Sequence, residues 1–416
     1  TPDACYGSGA MLSDIRVLEI SAPETMQAGS VLAALGADVV VVEPLTGAPG
    51  RRMEPFLDEI PGIERSLTWH AMNRNKRAIT LDMHSADSRE LLAGLLAKFD
   101  IAFDAASNGL APLDDFTLPE KLVRIRIAPF GPDGPKGGYA SSDLTVMAAS
   151  GAPGVTGDPD RAPLFFPVPQ SMMEAGSDAA IAALAGLAAR DCDGRGQSGR
   201  VSARISAMMS AMSQHLAPPA GNSEIKRSSG TFAIAGVQVP GMYECADGFV
   251  MISVAFGPVF GQMTNRLAKW AADENHLARN VAEISWPSFI SDLQQKKVSS
   301  ADLHALVEGL KSLTRNKTKA AFGAGARKLG LLASPVFSMK DVAESSQYRE
   351  RGLFTRVSVA QGRAIDVPSR FAQFSNFAIE SRRPAPILSE HTVEILENDL
   401  GLSRIEIQAL FVHGVI

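Results

Sequence analysis

The stretch "ADVVVVE" at residues 37–43 constrains the fold more than any other. Four consecutive valines leave it no polar face, which predicts a strand buried on both sides, as in a parallel sheet covered by helices. Parallel strands need long crossover connections, and the flanking sequence supplies them. "RVLEI" (16–20) is a second strand, and after "SAPET" a helix is predicted through "MQAGSVLAALG", with Ser21 or Thr25 as cap and Gly36 as stop. A further unit starts at "RAITLDM" (77–83). Ser85 then caps a helix whose leucines, Leu91, Leu92, Leu95 and Leu96, recur at helical spacing. "DIAFDA" and "VRIRIAPF" (123–130) follow as strands. This alternation defines an α/β class with right-handed crossovers.

From Met172 to Arg190 the pattern is helical and rich in Ala and Gly, so close packing is expected. "GRGQSGR" is predicted as a turn into the strand "VSARIS", with another helix after it. "APPAGNSEIKRSSG" (217–230) breaks the composition and reads as a linker. Beyond it, "GMYECADGFVMISVAF" is two short strands around an Asp-Gly turn, the signal of a hairpin. Polar helices up to residue 325 complete a smaller α+β domain, and the remaining residues return to mixed structure ending in a helix.

A length of 416 residues suits two domains, and 45% hydrophobic with 20% charged residues is ordinary for a soluble globular chain. A net charge of −5 gives no reason to expect nucleic acid or an anionic membrane as partner. Cys5, Cys192 and Cys245 are far apart and form no CxxC, which argues against disulfides and zinc and fits a reducing, cytoplasmic setting. The run "VLAALGADVVVV" contains Asp38 and is too short to span a bilayer. No signal-peptide pattern is legible, and the first eleven residues are set aside.

The obvious chemical motifs fail. The first strand–helix turn has no GxGxxG, so a dinucleotide site is not expected. "GPDGPKGG" (131–138) lacks the spacing of a phosphate-binding GxxxxGK[ST] loop and reads as a surface turn. "SEIK" (223–226) is too short a match to SxxK to carry weight and falls in the linker. The seven histidines make no pair at metal-ligand spacing, so no metal is expected.

Several segments taken together do resemble a known family. "RVLEISAPETMQAGSVLAALGADVVVVEP", "NRNKRAITLDM", "PFGPDGP", "TGDPDRAP", "GRGQ", "PGMYECADGFVMIS", "SPVFSMKDV" and "PAPILSEHTVEIL" are similar, in order and spacing, to segments of the class III CoA-transferases. That family includes formyl-CoA transferase, carnitine CoA-transferase and α-methylacyl-CoA racemase. The resemblance implies a large domain with a Rossmann-like parallel sheet, built from residues 12–216 and 326–416, a linker at 217–230 and an inserted small domain at 231–325. It also implies an interlocked dimer with active sites between the large domain of one chain and the small domain of the other. Coenzyme A and acyl-CoA would be substrates, with no permanently bound cofactor.

Transferases of this family work through one aspartate, whose carboxylate attacks the thioester to form a mixed anhydride. Counting back from Gly194 in the family's spacing reaches Met172, and Ala175-Gly176 fits that register. A thioether cannot form an anhydride. Glu174 is about 200° around the helix and would point elsewhere, and Asp178 is on another face again. The histidine of the racemases is replaced by Ser142. Where the family reads ENFRPG against CoA, this chain reads "DAASNG" (104–109), with Ala105-Ala106 for Asn-Phe and Leu113 for a following arginine. Gln27, Arg51, Lys76 and Arg77 remain as candidate CoA contacts, each equally readable as a structural residue of a retained motif.

No catalytic residue is therefore assigned to this chain. The expectation is a nucleophile-lacking subunit, paired with an aspartate-bearing paralogue in a heteromeric transferase that moves CoA between an acyl-CoA and a small carboxylic acid, as in the CoA-transferase for benzylsuccinate. A homodimeric lyase or isomerase of the same fold, and a non-enzymatic binding or regulatory paralogue, stay open.

Overall fold

The computed structural model describes residues 10–106, 113–131, 134–216, 218–221 and 226–416. The chain divides into two units. The larger comprises residues 1–153, 165–224 and 346–416, and the smaller 154–164 and 225–345. The return to the larger unit thus falls at Ser346, later than the residue 326 read from sequence.

The larger unit opens with β1 (Arg16–Ile20), α1 (Met26–Ala34), β2 (Asp38–Glu43), α2 (Leu67–Met72), β3 (Lys76–Thr80), α3 (Ala86–Leu96), β4 (Ile101–Ala105) and β5 (Val123–Ala128). It continues with α4 (Asp143–Ser150), α5 (Ser171–Asp193), β6 (Ser198–Ser202), α6 (Ala203–Met209) and α7 (Met212–His215). The six strands form one parallel sheet in the order β3-β2-β1-β4-β5-β6, that of a dinucleotide-type doubly wound fold. The valines behave as their composition predicts. Val39 points into the layer that holds Leu32, Ala175 and Ala179, while Val40 and Val42 point into the opposite layer with Leu92 and Leu95. Ser85 caps α3 by accepting from the Ser88 N–H, and Gly36 ends α1 at φ +109°.

One element departs from the sequence reading. The expected strand "VSARIS" is a strand only to Ser202, and Ala203 already begins α6. The strand lies earlier, over "SGRVS", because the glycines before it permit a close approach. A Cβ on Gly196 would sit 2.1 Å from the Leu122 carbonyl oxygen, and one on Gly199 would sit 2.7 Å from Ile125 Cδ1. The helix α5 is long and apolar enough to cross a bilayer by composition alone. Here it packs on α1, β5, β6 and α6, with Ala175, Gly176, Ala179, Ala180 and Ala183 buried.

The smaller unit holds a two-stranded ribbon, β7 (Thr231–Ile234) with β8 (Val237–Pro240), and the expected hairpin, β9 (Met242–Cys245) with β10 (Gly248–Ile252). Helices α8 (Gly261–Asp273), α9 (Arg279–Ala282), α10 (Phe289–Gln294), α11 (Ser300–Arg315) and α12 (Lys319–Lys328) follow, then β11 (Ala333–Pro335) pairs with β10. That pairing keeps residues 326–345, including α13 (Met339–Glu344), in the smaller unit. The unit has its own core around Trp286, Phe289, Leu306, Leu310 and Phe322.

The chain re-enters the larger unit with α14 (Ser346–Glu350), the ribbon β12 (Phe354–Ser358) and β13 (Ala364–Pro368), and finally α15 (Thr392–Leu400) and α16 (Arg404–Val412). His391 and Thr392 cover the edge of β3: the Ala78 N–H donates to His391 Nδ1 and the Thr80 N–H to Thr392 Oγ1. The C-terminal segment therefore covers an edge of the sheet that residues 16–202 build.

Candidate functional site

In a sheet of this order, ligands bind beyond the carboxyl ends of the strands where the winding reverses, here between β1 and β4. The first turn of α5 is the feature of interest near that edge. Asp143, the first residue of α4, fixes it: its Oδ1 accepts from the Ser171 N–H at 2.8 Å and from the Ser171 hydroxyl at 2.6 Å. Ser142 in turn caps α4 in a reciprocal pair with Thr145, so the residue in place of the racemase histidine serves the backbone. Sequence reasoning missed the anchoring role of Asp143, whose only local signal was an acid next to a helix-capping serine.

Met172 occupies the second position of α5 and is partly buried. Gly176, one turn later on the same face, lies against α1: a Cβ there would come 2.6 Å from Gln27 Cβ and 3.1 Å from the Ala28 nitrogen. Gln27 thus sits within the α1–α5 contact, on the face that Met172 shares. Helix N-termini favour negative charge, yet this position carries a thioether.

Glu174, the acid in this turn, faces differently. Its neighbours are Asp143 and Asp178, and burial followed by these two carboxylates pushes its carboxyl above the usual range. One of its oxygens is buried without a hydrogen-bond partner. Asp178 accepts from the Ser206 hydroxyl of α6 at 2.6 Å. Glu174 and Asp178 therefore lie on the α4 and α6 side of α5 rather than the side occupied by Met172 and Gly176.

Of the basic candidates, Arg51 and Lys76 are spent inside the larger unit. Arg51 is fully buried, forms a two-pronged pair with Glu43 at 2.6 and 2.7 Å, reaches Glu64 and the Pro386 carbonyl at 3.0 Å, and stacks on Trp69. Lys76 is also fully buried. It donates to Glu19 at 2.8 Å, to Asn73 at 2.9 Å and to the Met26 carbonyl at 3.0 Å, which uses all three N–H bonds. Lys76 has no donor left for a phosphate, and Arg51 is fully buried with four of its five N–H groups engaged, so the geometry supports their structural reading. Burial lowers the Lys76 ammonium and raises the Glu19 carboxyl from their ordinary values. Arg77 grips Asp38 at 3.0 and 2.6 Å, but it also lines a cavity at the opposite end of the strands.

Near the carboxyl end of β4 the start of the "DAASNG" stretch is held by ion pairs. Asp104 is buried and accepts from both Arg124 and Arg126, and each of these also pairs with Asp114. Leu113, at the position of the expected arginine, is fully buried, and its N–H donates to Asp104. Ala105 is buried and Ala106 is partly so. Residues 107–109 of the "DAASNG" stretch lie outside the described residues. Among the described residues, no group of three or more His, Cys, Asp or Glu side chains is placed to hold a metal.

The fold is a six-stranded Rossmann-like sheet with an anchored α5 and a second α+β unit, and comparison with known proteins gives the class. Residues 12–392 match the CoA-transferase family III pattern. The succinyl-CoA:(R)-benzylsuccinate CoA-transferase subunit BbsE of Thauera aromatica is 26% identical over 98% of each chain. A succinate–glutarate CoA-transferase of Agrobacterium fabrum is 27% identical, covering 92% of this chain and 94% of its own. In structure, a CAIB/BAIF family protein from Brucella suis superposes with a TM-score of 0.76 over 94% of this chain and all of its own, at 24% identity. The chain belongs to CoA-transferase family III.

Proposed function

We propose that this chain is the nucleophile-lacking subunit of a heteromeric CoA-transferase, working beside an aspartate-bearing paralogue that performs the covalent chemistry. The observation that carries this reading is Met172 in the first turn of α5, with the neighbouring acids of that helix, Glu174 and Asp178, turned toward α4 and α6. The partner's carboxylate would attack the acyl-CoA thioester carbonyl and expel CoA thiolate. The thiolate would attack the anhydride at the enzyme's own carbonyl, releasing the donor acid and leaving an enzyme-bound CoA thioester. The acceptor carboxylate would displace the thiolate to form a second anhydride, and the thiolate would attack its acyl carbonyl to give the new acyl-CoA and restore the carboxylate. The present chain would contribute a wall of that site and hold the pair together. The similarity to a protein named as a subunit of a benzylsuccinate CoA-transferase favours the heteromeric form and an aryl- or alkyl-substituted dicarboxylic acid as substrate.

Co-expression with an aspartate-bearing family member, followed by native mass measurement and a succinyl-CoA transfer assay, tests this. The expected result is a mixed assembly that turns over, while the isolated chain is slower by about 10³-fold or more. Full turnover by the isolated chain would refute the proposal.

A further inference from the structure

The amino ends of β2 and β3 enclose a cavity of about 350 Å³, at the end of the sheet away from the α5 site. Its wall is formed by Asp38, Asn75, Arg77, Arg382, Arg383 and Glu394, with Gly36 and Ala37 below. Three arginines line it, and their charges are unequally spent. Arg77 is saturated by Asp38 at 2.6 Å and Glu394 at 3.2 Å, which also occupies those two acids. Arg382 gives one N–H to the Ala33 carbonyl at the end of α1, at 3.1 Å. Neither Arg382 nor Arg383 has a carboxylate within ion-pair distance among the described residues.

The segment that carries these two arginines is fixed. Asn75, held in the left-handed region at φ +64°, accepts the N–H groups of both Arg382 and Arg383 on its Oδ1, at 2.7 and 3.0 Å. Its own N–H returns to the Arg383 carbonyl at 3.0 Å, and its Nδ2 donates to Glu380 at 2.8 Å. Four hydrogen bonds from one side chain and backbone thus clamp a stretch without regular secondary structure to the start of β3. Both side chains are exposed, and the clamp presents their guanidinium groups beside the cavity without a carboxylate partner among the described residues.

We propose that this cavity binds a phosphate group, held by Arg382 and Arg383. A phosphate dianion matches the two guanidinium groups that lack carboxylate partners, and their planar forks match its oxygens. The phosphate would come either from free phosphate or from a phosphate-bearing metabolite such as the 3′-phosphate of CoA. This inference does not depend on the chain lacking its own nucleophile.

The test is isothermal titration of the full chain at constant ionic strength with inorganic phosphate, CoA and dephospho-CoA. The wild-type chain is expected to bind at least one of inorganic phosphate and CoA saturably. Binding of inorganic phosphate assigns the free ion, and binding of CoA but not dephospho-CoA assigns the 3′-phosphate. In either case Arg383→Glu is expected to weaken that binding at least about tenfold, and Arg161→Ala, a surface arginine of the smaller unit, to leave it unchanged. Arg383 donates no side-chain hydrogen bond to the protein among the described residues, so its replacement tests binding without unpinning α1. Absence of saturable binding below about 10 mM, or equal affinity in wild type and Arg383→Glu, overturns the proposal.

Discussion

Lys76 and Glu19 show how a buried charge becomes a structural part. Each is fully buried, the ammonium has all its donors engaged, and the Thr25 hydroxyl lies 3.3 Å from the second carboxylate oxygen. Removing one partner strands the other in a low-dielectric interior, which costs about 3–5 kcal/mol. Lys76→Met is therefore expected to lower unfolding free energy by that amount in a denaturant titration, and adding Glu19→Leu should recover most of the loss. A single variant as stable as wild type would contradict this. Glu174 gives a prediction of opposite character. Burial and then Asp143 and Asp178 raise its carboxyl, so between its unfolded and folded values the folded chain holds a proton that the unfolded chain has released. Its contribution to stability is present at acid pH and lost as pH rises through the raised value. Glu174→Gln should match wild type in thermal stability below the ordinary carboxylate value of 4.5 and exceed it increasingly as pH rises. A difference in melting temperature independent of pH would show that the raised value is not what Glu174 contributes. That residue 172 is methionine where the family resemblance implies an aspartate could be read from the sequence. The fates of Arg51 and Lys76 could not, since Glu19 is 57 residues from Lys76 and Pro386 is 335 from Arg51.

Strands and helices follow from local pattern where a run is long and unmixed, and less well where backbone contact decides. The valine strand, the Ser85 cap and the Asp-Gly hairpin formed where composition placed them. The β6 strand did not, because its position depends on glycines fitting beneath a neighbouring carbonyl rather than on the hydrophobicity of "VSARIS". Gly196 is the strictest case, since the atom a Cβ would meet is backbone oxygen and cannot rotate away. Gly196→Ala should cost about 1–3 kcal/mol and loosen β6, readable as faster amide exchange over residues 198–202. Unchanged exchange and stability would mean that β6 tolerates the shift. Gly29 is a parallel case in α1, where a Cβ would fall 1.9 Å from Glu19 Oε2 and push into the buried ion pair. The anchoring of α5 by Asp143 belongs to the same scale. It holds the first turn in place although Met172 carries no reactive group.

At the scale of the whole molecule, the unusual quantity is apolar surface. The larger unit leaves Ile181 of α5 66% exposed, together with Met173, Ile205 and Met209 of α5 and α6, Met212 of α7 and the following Leu216. Surface of this kind is costly in a chain that works alone and is expected where another chain covers it. A heteromeric role therefore predicts that these residues are buried in the assembly. Ile181→Glu changes a side chain with little internal packing, so the isolated chain should keep its melting temperature within about 2 °C. The same change places a charge where the partner would exclude water, and association with the aspartate-bearing paralogue should weaken by at least about tenfold in mass photometry or analytical ultracentrifugation. Transfer activity of the mixture should fall in proportion to the lost complex and recover at higher partner concentration, because the chemistry itself resides on the other chain. If activity fell while association held, the α5 face would be acting on the reaction directly. The division of labour drawn from Met172 would then have to be abandoned.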